Sequence, residues 1–375
     1  MKNNVFEKIG FSCIGCGLCE AICPEKCISL KEVSNKGIIP YVDSKKCTNC
    51  GLCINFCPVP LIDKNEEING IKGVFIGRSK DDKIIENSTS GGIISSILID
   101  LFQKKEIDVA VVAFVDDELN IYGDFITSEE VLNHSGSFYH TSKMLVNIGR
   151  IKQYKSVVFV GLPCQNAALT IFEKKFNTRN IYAKISLTCT IGRMRNGMID
   201  YLKENNFYSK GKLNVLKYKS RHGLKRPGDI IIETNERNIR FSCEDYLLSK
   251  DYYYIPEGCL KCRKLFGLEF ADISVGDNWG IRDDEKIAIF TANSRRGLEI
   301  LNNNLLIDMS NSTIEELKKS QPLGYPLKYT DRTMVNQEIK ILKYLYRVLP
   351  QSLLFRKLLY KLRSIILVQL SRRKR

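Results

Sequence analysis

The sequence contains only three histidines, one tryptophan and no long apolar run among its 375 residues. With so little histidine, general acid–base catalysis is not the obvious chemistry, and we interpret His134, His140 and His222 as ordinary polar residues. No Ser-His-Asp or paired-carboxylate arrangement stands out. The best apolar stretches, "VAVVAFV" and "SIILVQL", have the length of strands, whereas a membrane span needs roughly 18 to 20 apolar residues.

The N-terminal segment "MKNNVFEKIGFSC" lacks the apolar region of a secretory signal, so we expect a cytoplasmic protein. Cysteine, by contrast, is abundant, with 14 residues. Because the reducing cytosol keeps thiols free, these cysteines are better explained as metal or cluster ligands than as disulfides. The chain is also globular in composition, with 44% hydrophobic and 26% charged residues.

Positive charge is concentrated towards the C-terminus. The net charge is +15, and the segment from Asp331 to Arg375 holds twelve Lys or Arg and two acids, which gives +10 of it. The rest of the chain therefore carries only +5. Nucleic-acid binding calls for a basic surface on the folded domain, so we expect no nucleic-acid partner.

Two identical cysteine runs lie near the N-terminus. Each has the spacing C-x2-C-x2-C-x3-C-P of bacterial two-cluster ferredoxins, in which the fourth cysteine of each run ligates the other 4Fe-4S cluster. A pair of structural zinc sites is the alternative, but zinc motifs seldom contain two identical four-cysteine runs. The pattern predicts one cluster bound by Cys13, Cys16, Cys19 and Cys57, and a second bound by Cys47, Cys50, Cys53 and Cys23. Cys27 is outside the pattern, and we interpret it as a small core residue.

The remaining cysteines suggest a third ligand set. Cys259 and Cys262 form a Cys-x-x-Cys pair, and no cysteine follows them. Cys164 in "VGLPCQNAAL" and Cys189 in "KISLTCTIG" each follow a strand-like stretch, where a cysteine on its own is most simply a buried residue. Together the four complete a set, and we predict that they bind a third cluster. Cys243 matches no spacing, and we interpret it as a core residue.

The middle of the chain alternates strand-like and helical patterns. β-Branched runs of strand length occur at Gly73 to Ser79, Asp108 to Val115 and Ser156 to Leu162, and apolar residues from Ile93 to Leu101 recur at helical spacing. This alternation favours an α/β domain. The loop "STSGG", at 88–92, leads into the helix, where it either binds phosphate through free backbone N–H groups or serves as an ordinary helix cap.

Taken together, these motifs resemble those of one family. The double ferredoxin run, "STSGG", "GLPCQ", Cys189, "CLKC" and "ADISVGDNWG" occur in an order similar to that of the family of coenzyme F-420 hydrogenase/dehydrogenase beta subunits, over about residues 1 to 300. The resemblance implies an α/β body that binds flavin, usually FAD, beside a 4Fe-4S cluster held by Cys164, Cys189, Cys259 and Cys262. It also implies flavin contacts by Ser88, Thr89, Ser90, Gly91 and Gly92, with Asp277 and Trp279 lining the same region.

The resemblance further implies a range of hydride partners. Some members of the family transfer hydride between flavin and coenzyme F-420, and many bacterial relatives are associated with surface-polysaccharide pathways. Two departures weaken the F-420 assignment in this chain. Phe138 stands where many relatives have a lysine able to contact an anionic ligand, and Thr190 stands where many have histidine. Lys143 is a nearby lysine that would compensate.

We therefore predict an iron–sulfur, flavin-dependent oxidoreductase. It would move electrons between ferredoxin-type 4Fe-4S clusters and an organic hydride donor or acceptor, in surface-polysaccharide biosynthesis, with ferredoxin or another redox protein as partner. No catalytic residue and no particular organic substrate is assigned. The alternative is a non-catalytic electron-transfer subunit of a larger complex, or the beta subunit of an F-420-linked hydrogenase or dehydrogenase.

The predicted organisation has three parts. An α+β ferredoxin-type module covers 1–62, an α/β flavin-binding domain follows in two portions at 70–155 and 156–330, and a helical basic tail occupies 331–375. In the tail, apolar residues from Leu354 to Ile366 recur every three or four positions and are interrupted by Lys and Arg, as in an amphipathic helix. This stripe either packs on the protein itself or makes a peripheral contact at the inner face of the membrane.

Overall fold

The computed structural model describes residues 3–33, 36–208, 211–220, 227–250, 254–279 and 285–329, together with the single positions 341 and 344. The predicted basic tail at 331–375 lies outside the described residues apart from those two positions. Across the described ranges, none of the helices combines the length and the apolar character that crossing a bilayer requires.

Fourteen strands in the described ranges form three sheets. In chain order they are β1 (Ile28–Val33), β2 (Gly37–Val42), β3 (Gly73–Ser79), β4 (Val109–Val115), β5 (Ile121–Ile126), β6 (Ser142–Lys143), β7 (Val157–Gly161), β8 (Ile181–Leu187), β9 (Leu213–Ser220), β10 (Asp229–Thr234), β11 (Asn238–Ser242), β12 (Ile273–Asp277), β13 (Ala288–Ala292) and β14 (Ile307–Asn311). The large sheet has the order β14-β3-β13-β12-β8-β7-β4-β5-β6, and the smaller ones are β1-β2 and β11-β10-β9.

Thirteen α-helices in the same ranges connect or cover these strands. They are α1 (Val5–Lys8), α2 (Leu18–Ile22), α3 (Leu52–Asn55), α4 (Val59–Ile62), α5 (Asp82–Asn87), α6 (Ile93–Gln103), α7 (Pro163–Phe176), α8 (Arg195–Glu204), α9 (Cys243–Lys250), α10 (Glu257–Lys261), α11 (Arg295–Asn302), α12 (Ile314–Lys319) and α13 (Gly324–Tyr329). Short 3-10 helices occur at Gly10–Ser12, Ser128–Glu130 and Ile148–Gln153.

The centre of the large sheet is parallel. Strands β4, β7, β8 and β12 are neighbours and run in one direction, whereas β13, β3, β14 and β5 enter through antiparallel pairs. Since β3 and β12 are both antiparallel to β13, β3 runs in the same direction as the parallel group. The carboxyl ends of β3, β4, β7, β8 and β12 therefore lie along one edge of the sheet.

Strand β7 shows why the strands of this sheet are continuous apolar runs in the sequence. Val158 and Val160 belong to the hydrophobic core on one face, which α6 covers, and Val157 and Phe159 belong to the core on the other face, which α7 covers. Successive strand side chains point to opposite faces, so a strand covered on both sides is apolar at every position.

The expected strands and helix are confirmed. Strand β3 coincides with the predicted strand, β4 and β7 each begin one residue later than predicted, and α6 contains the residues at helical spacing. The fold is therefore mixed α/β with a ferredoxin-like module. Both portions predicted for the flavin-binding domain contribute strands to the one large sheet, while their exact boundaries stay a prediction.

The antiparallel sheet β9–β11 was not predicted from the sequence. It packs with α8 and α9 around a separate core that includes Tyr218, Ile230 and Tyr246, all completely buried. Cys243 is also completely buried in this core, which confirms its interpretation as a core residue.

Candidate functional site

The predicted third cysteine set begins at the carboxyl edge of the parallel strands. Strand β7 ends at Gly161 and is followed by Cys164 in the first turn of α7, and β8 ends at Leu187, two residues before Cys189. Because these strands are neighbouring and parallel, the two cysteines leave the sheet side by side. Open α/β sheets place their ligands at this edge.

The Cys259 and Cys262 pair, at α10, is brought to the same place by contacts from distant parts of the chain. Gly192, three residues after Cys189, lies against Cys259, because an added Cβ atom at Gly192 would be 2.9 Å from Cys259 Sγ. The backbone N–H of Cys189 donates to the carbonyl oxygen of Leu265 at 2.8 Å, and the thiol of Cys164 interacts electrostatically with the thiols of Cys262, Cys189 and Cys259. The structure thus brings all four predicted cysteines together.

The thiols of Cys189 and Cys259 are held in their neutral form. Burial raises the pKa of Cys189 to about 12 and that of Cys259 to about 11, although the charges of Lys328 and Arg193 oppose the rise. Metal ions bind thiolates rather than thiols. Assembly of a cluster here would therefore displace protons from these cysteines.

One buried carboxylate, Glu66, fixes the loop that follows the Cys259 and Cys262 pair. Its two oxygens accept four backbone hydrogen bonds of 2.5–3.0 Å from residues 265–268, and Tyr329 Oη donates to Oε2 at 3.1 Å. Lys264, also buried, donates to the carbonyl oxygen of Asn65 at 3.1 Å. Glu66 was not identified from the sequence because "NEE" in a polar connector looks solvent-exposed.

The two ferredoxin-type runs enclose two cavities. One cavity is lined by the first predicted ligand set, Cys13, Cys16, Cys19 and Cys57. A second cavity is lined by Cys23, Cys47, Cys50 and Cys53, together with Cys27. Each cavity receives cysteines from both runs, as the crossed ligand pattern requires. The residues present therefore fit two clusters, and the ligand assignment itself stays a prediction.

Cys27 is buried, as expected of a core residue, but it also lies at the second cavity. Its Sγ is 3.5 Å from Cys23 Sγ. Burial, followed by the neighbouring Cys23, raises the pKa of Cys27 to about 12. The second cavity therefore has a fifth thiol that the spacing of the two runs does not predict.

The ferredoxin module packs directly on the third cysteine set. A Cβ atom at Gly258 would lie 2.6 Å from the carbonyl oxygen of Ser12 and would overlap that of Cys13. The thiol of Cys13 interacts electrostatically with Cys259, and that of Cys164 with Cys16. The first ferredoxin cavity and the third set are therefore immediate neighbours.

Among the described residues, no group of three or more His, Cys, Asp or Glu side chains is gathered closely enough to hold one metal ion. A 4Fe-4S cluster binds each of its four thiolates through a different iron. Its ligands consequently stand farther apart than the ligands of a single ion.

The loop Ser88–Gly92 lies at the same sheet edge. Gly92 is the N-cap of α6 with φ of 73°, and a Cβ atom at Gly91 would lie 2.6 Å from the carbonyl oxygen of Gly77 and 2.8 Å from the nitrogen of Ala288. Both glycines are therefore required by the protein's own packing. The loop hydroxyls also have protein partners, since Ser90 Oγ donates to the carbonyl oxygen of Ile287 at 2.8 Å.

The backbone of this loop is the part that suits an anion. In the portion of the chain that the structure describes, the N–H groups of Thr89, Ser90, Gly91 and Gly92 donate to no protein acceptor. They lie at the N-terminus of an eleven-residue helix, where the helix dipole favours negative charge. The loop therefore fits a phosphate group, as both the sequence pattern and the family resemblance imply.

Two cations stand beside the residues that lead into the loop. Lys217 Nζ, from β9, donates to Asn87 Oδ1 at 3.3 Å, and Lys286 Nζ donates to the carbonyl oxygens of Ile85 and Glu86 at 2.7 and 3.2 Å. Neither was identified from the sequence, and Lys217 could not be, because β9 was not predicted. Lys143, which was expected to compensate for Phe138, instead pairs with Glu20 of the ferredoxin module at 3.4 Å.

Asp277 lies close to this loop. It is the register partner of Ala288, the residue after Ile287, whose carbonyl oxygen accepts from Ser90. Asn278, which stands between Asp277 and Trp279 in the chain, is completely buried, and its side chain has hydrogen-bond partners for neither its oxygen nor its nitrogen among the described residues. The structure therefore places Asp277 and the Ser88–Gly92 loop at one end of the sheet, with an unsatisfied amide next to Asp277.

The histidines that the structure describes behave as ordinary polar residues. His140 is buried, its Nδ1 is 2.8 Å from Tyr218 Oη, and burial lowers its pKa to about 3, so the ring is neutral. The ring of His134 packs against Phe114, with 3.9 Å between ring centroids. His222 lies outside the described residues.

Comparison with known proteins supports the resemblance found in the sequence. Residues 74–148 match the N-terminal part, and residues 154–318 the C-terminal part, of the beta subunit of coenzyme F420 hydrogenase/dehydrogenase. Residues 12–60 match a 4Fe-4S dicluster domain. These matches cover the ferredoxin module and the large sheet.

Two individual proteins are also similar. The chain is 28% identical over 198 residues to a subunit of the F(420)H(2) dehydrogenase of Methanosarcina mazei, which is 50% of this chain and 56% of that protein. It therefore spans little more than half of that relative's length. In a solved structure of the xenon-derivatised F420-reducing NiFe hydrogenase complex from Methanosarcina barkeri, one chain has the same fold, with a TM-score of 0.55 and 16% identity, covering 73% of this chain and 95% of that chain.

Replacement of Glu66 by alanine tests its control of the third cysteine set. Four buried N–H groups would lose an ionised acceptor, so we expect a loss of roughly 3 kcal/mol or more in unfolding free energy, together with loss of iron from the third set. The adjacent, exposed Glu67 is the control, and Glu67→Ala should stay within about 0.5 kcal/mol of the parent. Unfolding midpoints and iron content measured under anaerobic conditions check both expectations. A Glu66→Ala protein with the parent's midpoint and iron content would contradict the assigned role.

Proposed function

Because this chain belongs to the family of coenzyme F420 hydrogenase/dehydrogenase beta subunits, we propose that it is an electron-transfer subunit of a larger oxidoreductase complex. It exchanges electrons between a hydride carrier of the F-420 type, bound at the α/β body, and an iron–sulfur partner protein. The observation that carries this proposal is the contact between the first ferredoxin cavity and the third cysteine set, where Gly258, next to Cys259, packs against the backbone of Cys13. Three ligand sets in contact are what an electron relay requires.

This proposal follows the alternative stated from the sequence rather than the main prediction. The relatives with known names are part of a dehydrogenase and a chain of a hydrogenase complex, so membership of a complex is a better explanation than a free-standing enzyme. Each of those names refers to F420, and none refers to a polysaccharide. A role in surface-polysaccharide biosynthesis is therefore not part of the proposal.

Each bound cofactor would supply a different part of the chemistry. Bound 4Fe-4S clusters supply one-electron transfer, and a bound flavin converts single electrons into hydride. Cys164, Cys189, Cys259 and Cys262 would hold the third cluster, and the N–H groups of the Ser88–Gly92 loop would hold a flavin phosphate. Lys217 and Lys286 would add positive charge next to that phosphate.

The ferredoxin module has one side open to a partner. Cys50, at the second cavity, is exposed, whereas Cys13 and Cys16, at the first cavity, are buried. The first set is also covered by α10 through Gly258. A partner protein would therefore exchange electrons at the second set, and the first set would connect it to the α/β body.

Iron content tests the third ligand set. The anaerobically reconstituted protein should hold about twelve irons, four for each cluster, and the double variant Cys259→Ser, Cys262→Ser should lose about one third of them. Cys243→Ser, at a core cysteine remote from the three sets, is the control and should keep the full content. Unchanged iron in the double variant would remove the basis for the third set.

Electron transfer through the chain can be followed in the same variants. Reduced F-420 added to the complete protein should be oxidised while the ferredoxin-type clusters become reduced. In the double variant, the carrier should still be oxidised slowly by the bound flavin while the ferredoxin-type clusters stay oxidised. A protein that holds three clusters and flavin but never reacts with reduced F-420 would exclude F-420 as the carrier, and three clusters without flavin would favour a simple electron shuttle.

The phosphate site is tested by charge rather than by glycine replacement. Gly92→Asp is unsuitable because of its positive φ and because a Cβ atom there would lie 2.7 Å from Ile84 Cγ2. Lys217→Glu should reduce flavin content, since it places negative charge next to the phosphate. Lys212→Glu, at an exposed residue just before the same strand, should leave flavin content unchanged. Equal flavin content in both variants, measured after acid release, would show that Lys217 does not face the phosphate.

A further inference from the structure

A buried lysine lies against the third cysteine set. Lys328, on α13, is only 3% exposed, and its Nζ donates to the carbonyl oxygen of Cys262 at 2.8 Å. Leu327, the residue before it, packs against Ile191 and Leu260, which lie close to Cys189 and Cys259 in the chain, so the charge of Lys328 reaches both thiols. A buried cation is costly unless negative charge is close by, so its natural counterpart here is the anionic cluster that the four cysteines would hold.

A second buried cation acts on the same sulfurs. Arg193, four residues after Cys189, is 8% exposed and follows Gly192, where a Cβ atom would lie 2.9 Å from Cys259 Sγ, so its charge also acts on the thiols of Cys189 and Cys259. It packs against the ring of Tyr139, with the guanidinium carbon 5.7 Å from the ring centroid. Two positive charges therefore reach the third set from different elements, one from α13 and one from the segment before α8.

The carboxylate next to this region does not neutralise Lys328. Glu66 is bonded to four backbone N–H groups and to Tyr329, the neighbour of Lys328. Within the part of the chain that the structure describes, Glu66 and Lys328 form no salt bridge. The charge of Lys328 consequently remains available to the sulfurs.

The first ferredoxin set has a different electrostatic environment. Lysines also stand beside the first set, but Lys261, whose Nζ donates to Ser12 Oγ at 2.6 Å, is exposed, and Lys143 is half-buried and paired with Glu20 at 3.4 Å. The two neighbouring sets thus differ in that the cations beside the third set are buried, whereas those beside the first set are exposed or paired with a carboxylate.

We propose that Lys328 and Arg193 raise the reduction potential of the third cluster. A reduced cluster carries one more negative charge than the oxidised cluster, and a nearby cation in a poorly solvated site stabilises that extra charge. One electron leaves the ferredoxin-type cluster and one is gained at the third set, with no bond formed or broken. The two residues therefore draw electrons towards the α/β body.

This inference rests on the proposed function, because it needs a cluster at the third set. The test is a redox titration of the anaerobically reconstituted full chain, followed by the electron paramagnetic resonance signal of each cluster. Lys328→Met, which removes the charge and keeps the length of the side chain, should shift the third cluster to a more negative potential. Lys328→Arg keeps the charge and should stay close to the parent. Lys319→Met removes an exposed charge on α12 and should have no effect.

Arg193→Gln provides a second, independent test and should shift the third cluster in the same direction. It decides the question if Lys328→Met does not assemble that cluster.

Iron for only two clusters in the parent protein would overturn the proposed function and this inference together. Three clusters in the parent, with the third at the parent's potential in both Lys328→Met and Arg193→Gln, would overturn this inference alone. An equal shift of all three signals would also overturn it, because the proposed effect is local.

Discussion

Position 258 has no room for a side chain, because a Cβ atom there would overlap the carbonyl oxygen of Cys13. Backbone lies directly against backbone at this point, and Cys259 is thereby held beside the first ferredoxin set. Gly17 and Gly37 make similar close contacts, with a Cβ atom at 3.1 Å from Val146 N and at 3.0 Å from Pro256 Cβ. The ion pairs Glu20–Lys143, at 3.4 Å, and Glu32–Arg195, at 3.7 Å, join the same surfaces. The position of the third cysteine set relative to the first depends on this contact.

The same contact places poorly solvated sulfurs of the first and third sets next to each other. The charges around these sulfurs therefore influence the reduction potential of each cluster. Lys328 and Arg193 are buried beside the third set, while beside the first set Lys261 is exposed and Lys143 is paired with Glu20. Glu66 is bonded within its own loop and so holds the loop in place without cancelling Lys328. Glu66 thus supports the geometry of the third set, while Lys328 and Arg193 place positive charge beside it.

The features that could be predicted from the sequence are those encoded by local spacing. The two cysteine runs, strand β3 and helix α6 each follow from residues close together in the chain, and the predicted four-cysteine set is brought together in the fold. Glu66 could not be found in this way, because its donors are about 200 residues away in sequence. Lys328 and Lys217 were missed for the same reason. Their roles depend on α13 packing over the third set and on β9 reaching the Ser88–Gly92 loop, and neither contact leaves a periodic pattern.

The central claim is that the ferredoxin module and the third set form one relay, and magnetic coupling between their clusters tests it most directly. Two paramagnetic centres in close contact alter each other's electron paramagnetic resonance spectra. The account predicts that the signal of the third cluster changes in shape when the ferredoxin-type clusters become reduced, and that Gly258→Val, which pushes the surfaces apart, weakens this change. A third-cluster signal that is identical whether the ferredoxin-type clusters are oxidised or reduced would contradict the account.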